Sequence, residues 1–149
     1  MSGHVIGRPM EILLIEDGLL DAKLAIAALK RSGLPHRLTL LRDGEEALEF
    51  LLHAGRFAHA PRPDLILLDL LLPKKSGFEV LSEIRGDDDL REIPVVILTA
   101  ADDEGFQARA ELYEVEHFIK KPVNFGKFLE TVKKLRRFWH HDLILPSLD

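Results

Sequence analysis

The sequence contains no cysteine, which excludes disulfides, thiolate metal sites and cysteine nucleophiles together and fits a reducing compartment. No apolar run approaches the roughly 18 residues needed to span a bilayer. The opening residues, MSGHVIGRPM, have neither the basic start nor the apolar core of a secretory signal. Positive charge is not in excess: 20 Lys and Arg stand against 25 Asp and Glu, a net charge of −5. That balance argues against general nucleic-acid binding through phosphate neutralisation. Repeats, low-complexity segments and Pro/Gly-rich linkers are absent, as is a GxxxxGK[ST] phosphate cradle. What is present is ordinary for one globular domain: 149 residues, 46% apolar and 30% charged. A chain of that length buries about 70% of its unfolded surface and needs no staples. The expectation is a soluble, cytoplasmic, single-domain protein with no nucleic-acid or membrane partner.

Apolar periodicity alternates between short buried runs and helical stretches. Glu11–Ile15 is a continuous apolar run ending at Glu16-Asp17, the pattern of a strand covered on both faces. Residues from about 19 to 32 follow with Leu20, Leu24, Ala27 and Ala28 at helical spacing, closed by Lys30, Arg31 and Gly33. His36–Leu41 reads as an amphipathic edge strand. Asp43 is placed to cap a helix with Glu45 and Glu46 in its first turn and Gly55 at its end. After a loop, Asp64–Leu68 is a third strand ending at Asp69. A helix over Gly77–Arg85 and a strand over Pro94–Leu98, ending at Thr99, come next. A weakly amphipathic helix (about 103 to 113) leads to a short fifth strand, His117–Ile119, ending at Lys120-Lys121-Pro122. The last helix, about 124 to 140, carries Phe125, Phe128, Leu129, Val132, Leu135, Phe138 and Trp139 along one stripe.

Five strand–helix alternations predict an α/β fold: a doubly wound parallel five-stranded sheet with helices on both faces. Ligands in such sheets bind outside the carboxyl ends of the strands. Glu16-Asp17, Asp69, Thr99 and Lys121 all fall at those ends, so four strands converge on one cleft. Three carboxylates gathered there repel one another and call for a hard divalent cation, for which Mg²⁺ is the natural candidate. Lys121 adds a compact positive charge and Thr99 a hydroxyl. Together these are the parts needed to neutralise a phosphoryl group in transit. A carboxylate can itself be the nucleophile, and Asp69, ending the central strand, is the best placed.

From about Met10 to Trp139 the chain resembles the receiver domain of two-component response regulators. The resemblance is carried by Glu16-Asp17, Asp69-Leu-Leu-Leu-Pro-Lys-Lys-Ser-Gly77, Thr99-Ala100 and Phe118-Ile-Lys-Lys121-Pro122. Asp69 precedes Thr99 by 30 residues, and Thr99 precedes Lys121 by 22, a spacing familiar in receivers. The resemblance implies the flavodoxin-like strand order 2-1-3-4-5. It also implies phosphorylation of Asp69, Mg²⁺ held by Glu16, Asp17, Asp69 and the Leu71 carbonyl, and phosphoryl contacts from Thr99 and Lys121. A switch is implied too, in which Thr99 moves toward the phosphate and Phe118 turns inward, along with a cis peptide at Lys121-Pro122. The loop before Asp64, the Leu-Pro-Lys-Lys turn and the tail from Phe138 to Pro146 are similar to the small stand-alone regulators paired with phytochrome kinases. The domain is thus one receiver over 1–149, its core about 10–139 and its tail 140–149.

Some departures and bland features qualify that picture. Phe118 replaces a tyrosine common in receivers, and Leu71 and Ala101 are apolar where many receivers are polar. Asp87-Asp-Asp89, Lys120 and the basic face Lys133-Lys134 with Arg136-Arg137 read as solvated surface. The seven histidines show no zinc-like spacing. Trp139 and Leu143–Leu145 either pack on their own domain or form a homodimer contact through the last helix and tail.

The function expected is that of a single-domain response regulator, not an enzyme: a histidine kinase, phytochrome-type by the resemblance, passes a phosphoryl group to Asp69 in a Mg²⁺-dependent reaction. Only about ten residues follow Trp139, too few for an output domain. A phosphatase of the aspartate-nucleophile kind would need a second acid where Leu71 stands. A degenerate receiver acting as a constitutive binding module would lack the acceptor residue.

Overall fold

Leu65–Asp69 is buried along its whole length, and it forms the middle strand of the sheet. The computed structural model describes residues 7–99, 104–115 and 117–135. In chain order these form β1 (Met10–Ile15), α1 (Leu19–Arg31), β2 (His36–Leu41), α2 (Gly44–Leu51), β3 (Leu65–Asp69), α3 (Gly77–Gly86), β4 (Val95–Thr99), α4 (Glu104–Glu111), β5 (His117–Lys120) and α5 (Phe125–Lys134). All pairings are parallel, in the order β2-β1-β3-β4-β5. This is the flavodoxin-like order expected, with the amphipathic β2 at an edge. Among the described residues, no helix is long and apolar enough to cross a membrane.

Alternation along each strand divides the core in two. Leu13, Ile15, Ile66, Leu68, Val95 and Ile97 face one side and pack on α2, α3 and Ala110 of α4. Ile12, Leu14, Leu65, Leu67, Val96, Leu98 and Ile119 face the other, against α1 and α5. Burial on both faces is why these strands read as unbroken apolar runs. Side-chain caps start three helices: Asp43 accepts from the Glu46 amide at 2.7 Å, Ser76 from Glu79 at 3.3 Å and Asn124 from Lys127 at 2.9 Å.

The face of α1 differs from expectation. Its buried residues are Ala22, Ala25, Ala28 and Leu29, whereas Leu20 is 71% and Leu24 40% exposed. Small side chains let this helix lie close to the sheet, so alanines rather than leucines mark its inner stripe. Leu19 is exposed as well, and burial begins only at Ala22. α2 ends at Leu51, and Gly55 instead opens a short 3₁₀ turn, Gly55–Phe57. On α5, Phe128, Val132 and Leu135 are buried, but Phe125 is 43% exposed beneath the Arg31 guanidinium. The rest of the expected last helix, Trp139 and the tail lie outside the described residues, as do Ala100 and Ala101.

Candidate functional site

The carboxyl end of the sheet gathers three of the expected groups tightly. Asp69 closes β3, Glu16 follows β1 and Lys121 follows β5, whose chain is held beside β4 by the Lys121 amide donating to the Thr99 carbonyl at 2.7 Å. Lys121 Nζ donates to Asp69 Oδ2 at 3.0 Å and sits 2.6 Å from Glu16 Oε1. The Lys121-Pro122 peptide is cis. On its other side, Asp69 Oδ1 accepts from the Leu71 amide at 3.0 Å.

Glu16 is 1% exposed. Its Oε2 accepts from the Gly18 amide at 3.0 Å, while Oε1, despite its closeness to the ammonium, has no hydrogen bond in proper geometry. Burial, and next the neighbouring Asp69 carboxylate, push the Glu16 carboxyl up to about 7 against the opposing pull of Lys121 and the Gly18 amide. Burial works against the ammonium of Lys121, but hydrogen bonds and charges from Glu16 and Asp69 outweigh it, so its pKa rises above that of an ordinary lysine. The site is therefore a buried, mutually dependent acid–ammonium cluster.

Asp17 does not join it. Its side chain is 53% exposed and 3.9 Å from Arg42, which also donates to the Asp17 carbonyl at 2.8 Å. Among the described residues, no three acidic or histidine side chains are arranged to hold a metal ion by themselves. Thr99 stands half-buried at the cleft, and Phe118 is half-buried against the core face shared by α2, α3 and α4. The Leu71 side chain is 68% exposed.

Two features escaped sequence reasoning. Asp21, in the first turn of α1, accepts from Lys121 Nζ at 3.4 Å; its position one helical turn beyond Asp17 was the available signal. Gly77 is the other. A Cβ there would lie 2.5 Å from Leu70 Cα and 2.6 Å from the Asp69 carbonyl oxygen, so only glycine lets α3 start hard against the end of β3.

The response regulator receiver domain family matches residues 12–133. The chain belongs to that family. Among receiver proteins it is 41% identical to Response regulator Rcp1 of Synechocystis sp. over 139 residues, covering 93% of this chain and 95% of Rcp1. The crystal structure of Mn²⁺-bound Rcp1 superposes with a TM-score of 0.74, covering 93% of this chain and all of that one. The phosphorylated cyanobacterial phytochrome response regulator RcpA is 42% identical, with a TM-score of 0.75 and coverage of 93% and 99%. The bacteriophytochrome response regulator RtBRR is 37% identical, with a TM-score of 0.80 and coverage of 95% and 84%. The chain is thus a receiver-type response regulator, a protein that signals by phosphorylation, and two of these relatives, RcpA and RtBRR, are phytochrome response regulators.

Proposed function

We propose that this response regulator accepts a phosphoryl group from a phytochrome-type histidine kinase onto Asp69, with Mg²⁺ as the cofactor. The observation that carries the reading is the Asp69–Lys121–Glu16 cluster at the carboxyl edge of the central strands. Asp69 is the nucleophile. Oδ1 accepts from the Leu71 amide and Oδ2 from Lys121; Oδ2, beside the ammonium that meets the phosphoryl group, is the oxygen that attacks. Lys121 neutralises the incoming phosphoryl oxygens, and the Thr99 hydroxyl donates to one of them.

The residues fit a hard cation. Glu16 Oε1 is a buried carboxylate oxygen paired with the Lys121 ammonium at 2.6 Å, and Asp69 adds a second oxygen donor. Asp17 and the Leu71 carbonyl complete the proposed set once Asp17 turns from Arg42. When bound, such an ion supplies charge neutralisation that a single ammonium cannot provide. The Mn²⁺-bound form of Rcp1 supports a divalent site, and phosphorylated RcpA supports the acceptor role.

We further read the protein as one cytoplasmic receiver domain, core 10–139, in line with the family match to 12–133. Self-catalysed phosphoryl transfer and loss, a switch at Thr99 and Phe118, and a homodimer through the last helix and tail belong to the same reading. Incubation with Mg²⁺ and acetyl phosphate, followed by intact-mass measurement, tests the core of it. Wild type gains one phosphate and Asp69→Asn none; no gain on wild type ends the proposal.

A further inference from the structure

Lys121 Nζ has three protons to donate and faces three carboxylates, not two: Glu16 Oε1 at 2.6 Å, Asp69 Oδ2 at 3.0 Å and Asp21 Oδ2 at 3.4 Å. Glu16 and Asp69 form the buried floor, whereas the Asp21 side chain is 40% exposed at the cleft mouth. The Gly18 backbone lies close to both carboxylates: a Cβ there would stand 3.3 Å from Asp21 Oδ2 and 3.4 Å from Glu16 Oε2.

We propose that Asp21 is a positioning residue for Lys121, an alternative anchor to which the ammonium swings when Asp69 reacts. The inference rests on Asp69 as acceptor. Oδ1 of Asp69 accepts from the Leu71 amide and Oδ2 from Lys121; Oδ2 keeps a second lone pair, but the ammonium lowers its nucleophilicity until Lys121 shifts away. With its side chain only 10% exposed, Lys121 cannot be handed wholly to water, and an ammonium stranded in that cleft is costly. Asp21 offers a charged acceptor within reach. In the transfer itself, Oδ2 forms the new P–O bond as the bond from phosphorus to the donor's leaving group breaks, its electron pair departing with that group. Lys121 then turns from Asp21 to the phosphoryl oxygens, so Asp21 also competes with the product for the ammonium.

Two rates carry the signature. Asp21→Asn is expected to slow phosphorylation by acetyl phosphate in Mg²⁺ by about two- to fivefold, the range of a partly exposed ion pair. The same variant is expected to slow decay of the phosphorylated form after donor removal. Asp21→Glu, which keeps the carboxylate, is expected to restore both rates, with thermal midpoints unchanged across the set. A general field effect has the opposite sign, because removing a negative charge favours approach of an anionic donor. Faster or unchanged phosphorylation of Asp21→Asn, faster decay, or no recovery in Asp21→Glu overturns the assignment. Failure of the underlying reading is distinct: wild type and Asp69→Asn would then gain phosphate equally, or neither would gain it.

Discussion

Replacing Glu16 with Gln should change the pH dependence of stability rather than its value at one pH. The Glu16 carboxyl titrates at about 7 in the folded protein against an ordinary 4.5. Between those values the folded state holds a proton that the unfolded state has released. Stability from this group is complete below 4.5 and is lost as pH rises through about 7. At 1.36 kcal/mol per unit the gap corresponds to roughly 3 kcal/mol. With Glu16 only 1% exposed, water does little to screen it. A loss of this size is a large share of the 5–15 kcal/mol that a domain has in total. Glutamine cannot ionise, so its stability should stay level where wild type declines.

The assay is urea unfolding at half-unit intervals from pH 4.5 to 8 in chelator, so that divalent ions do not bind the native state. With an m-value near 2 kcal/mol/M, the difference in midpoint between wild type and Glu16→Gln should drift by roughly 1.5 M across the window. Lys121, with its raised pKa, stays charged throughout and adds no slope. Parallel profiles would refute the reasoning: Glu16 would then be ionised across the range and its burial compensated by Lys121 alone.

Gly77→Ala should destabilise by about 1–3 kcal/mol, since the added methyl meets Leu70 and Asp69 backbone rather than a yielding side chain; thermal unfolding checks this, and slower acetyl phosphate labelling should accompany it because Asp69 must shift. Leu19→Asp should slow transfer from a cognate kinase while leaving small-donor phosphorylation unchanged, because Leu19 and Leu20 are 53% and 71% exposed beside the cleft and offer an apolar contact to a helical partner; equal kinase rates would remove that surface from consideration. Leu71→Asn should shorten the phosphorylated lifetime by up to about 10²-fold if a polar group there aligns the attacking water, read as decay after donor removal in excess Mg²⁺.

The sheet was legible because strands buried on both faces leave unbroken apolar runs, and each run here stops at the polar residue that enters the cleft. Strand ends are fixed by the backbone, so Glu16, Asp69 and Lys121 could be placed together from spacing alone. Side-chain direction beyond a strand end could not. Past the end of β1, Glu16 is buried, while Asp17 is exposed and lies beside Arg42. The inner face of α1 was misread for another reason. Hydrophobicity ranks Leu20 and Leu24 above Ala22 and Ala25, but closeness to the sheet favours the smaller side chains. Asp21 stands one helical turn beyond Asp17, but its partner is 100 residues away, and only the packing of α1 beside α5 brings the two together.

These geometric facts bear on why phosphorylation at this site should need a cation at all. Within 3.4 Å of one ammonium stand three carboxylates, and burial, with a smaller contribution from the Asp69 charge, already raises the pKa of Glu16 before a substrate arrives. A phosphoryl donor brings further negative charge to oxygens that repel it, and burial keeps water from screening the repulsion. Partial protonation of Glu16 relieves the resting cluster by removing one charge. That relief is unsuited to transfer, because a protonated Glu16 is a poor ligand for the cation that the incoming charge requires. A divalent ion in the place of the proton would remove the repulsion and keep Glu16 as a ligand. On this argument acid and metal compete for one cluster, and phosphorylation at fixed Mg²⁺ should rise with pH through about 7 and then level off. A rate that stays flat from pH 6 to 8 would mean that Glu16 carries no proton in the resting protein.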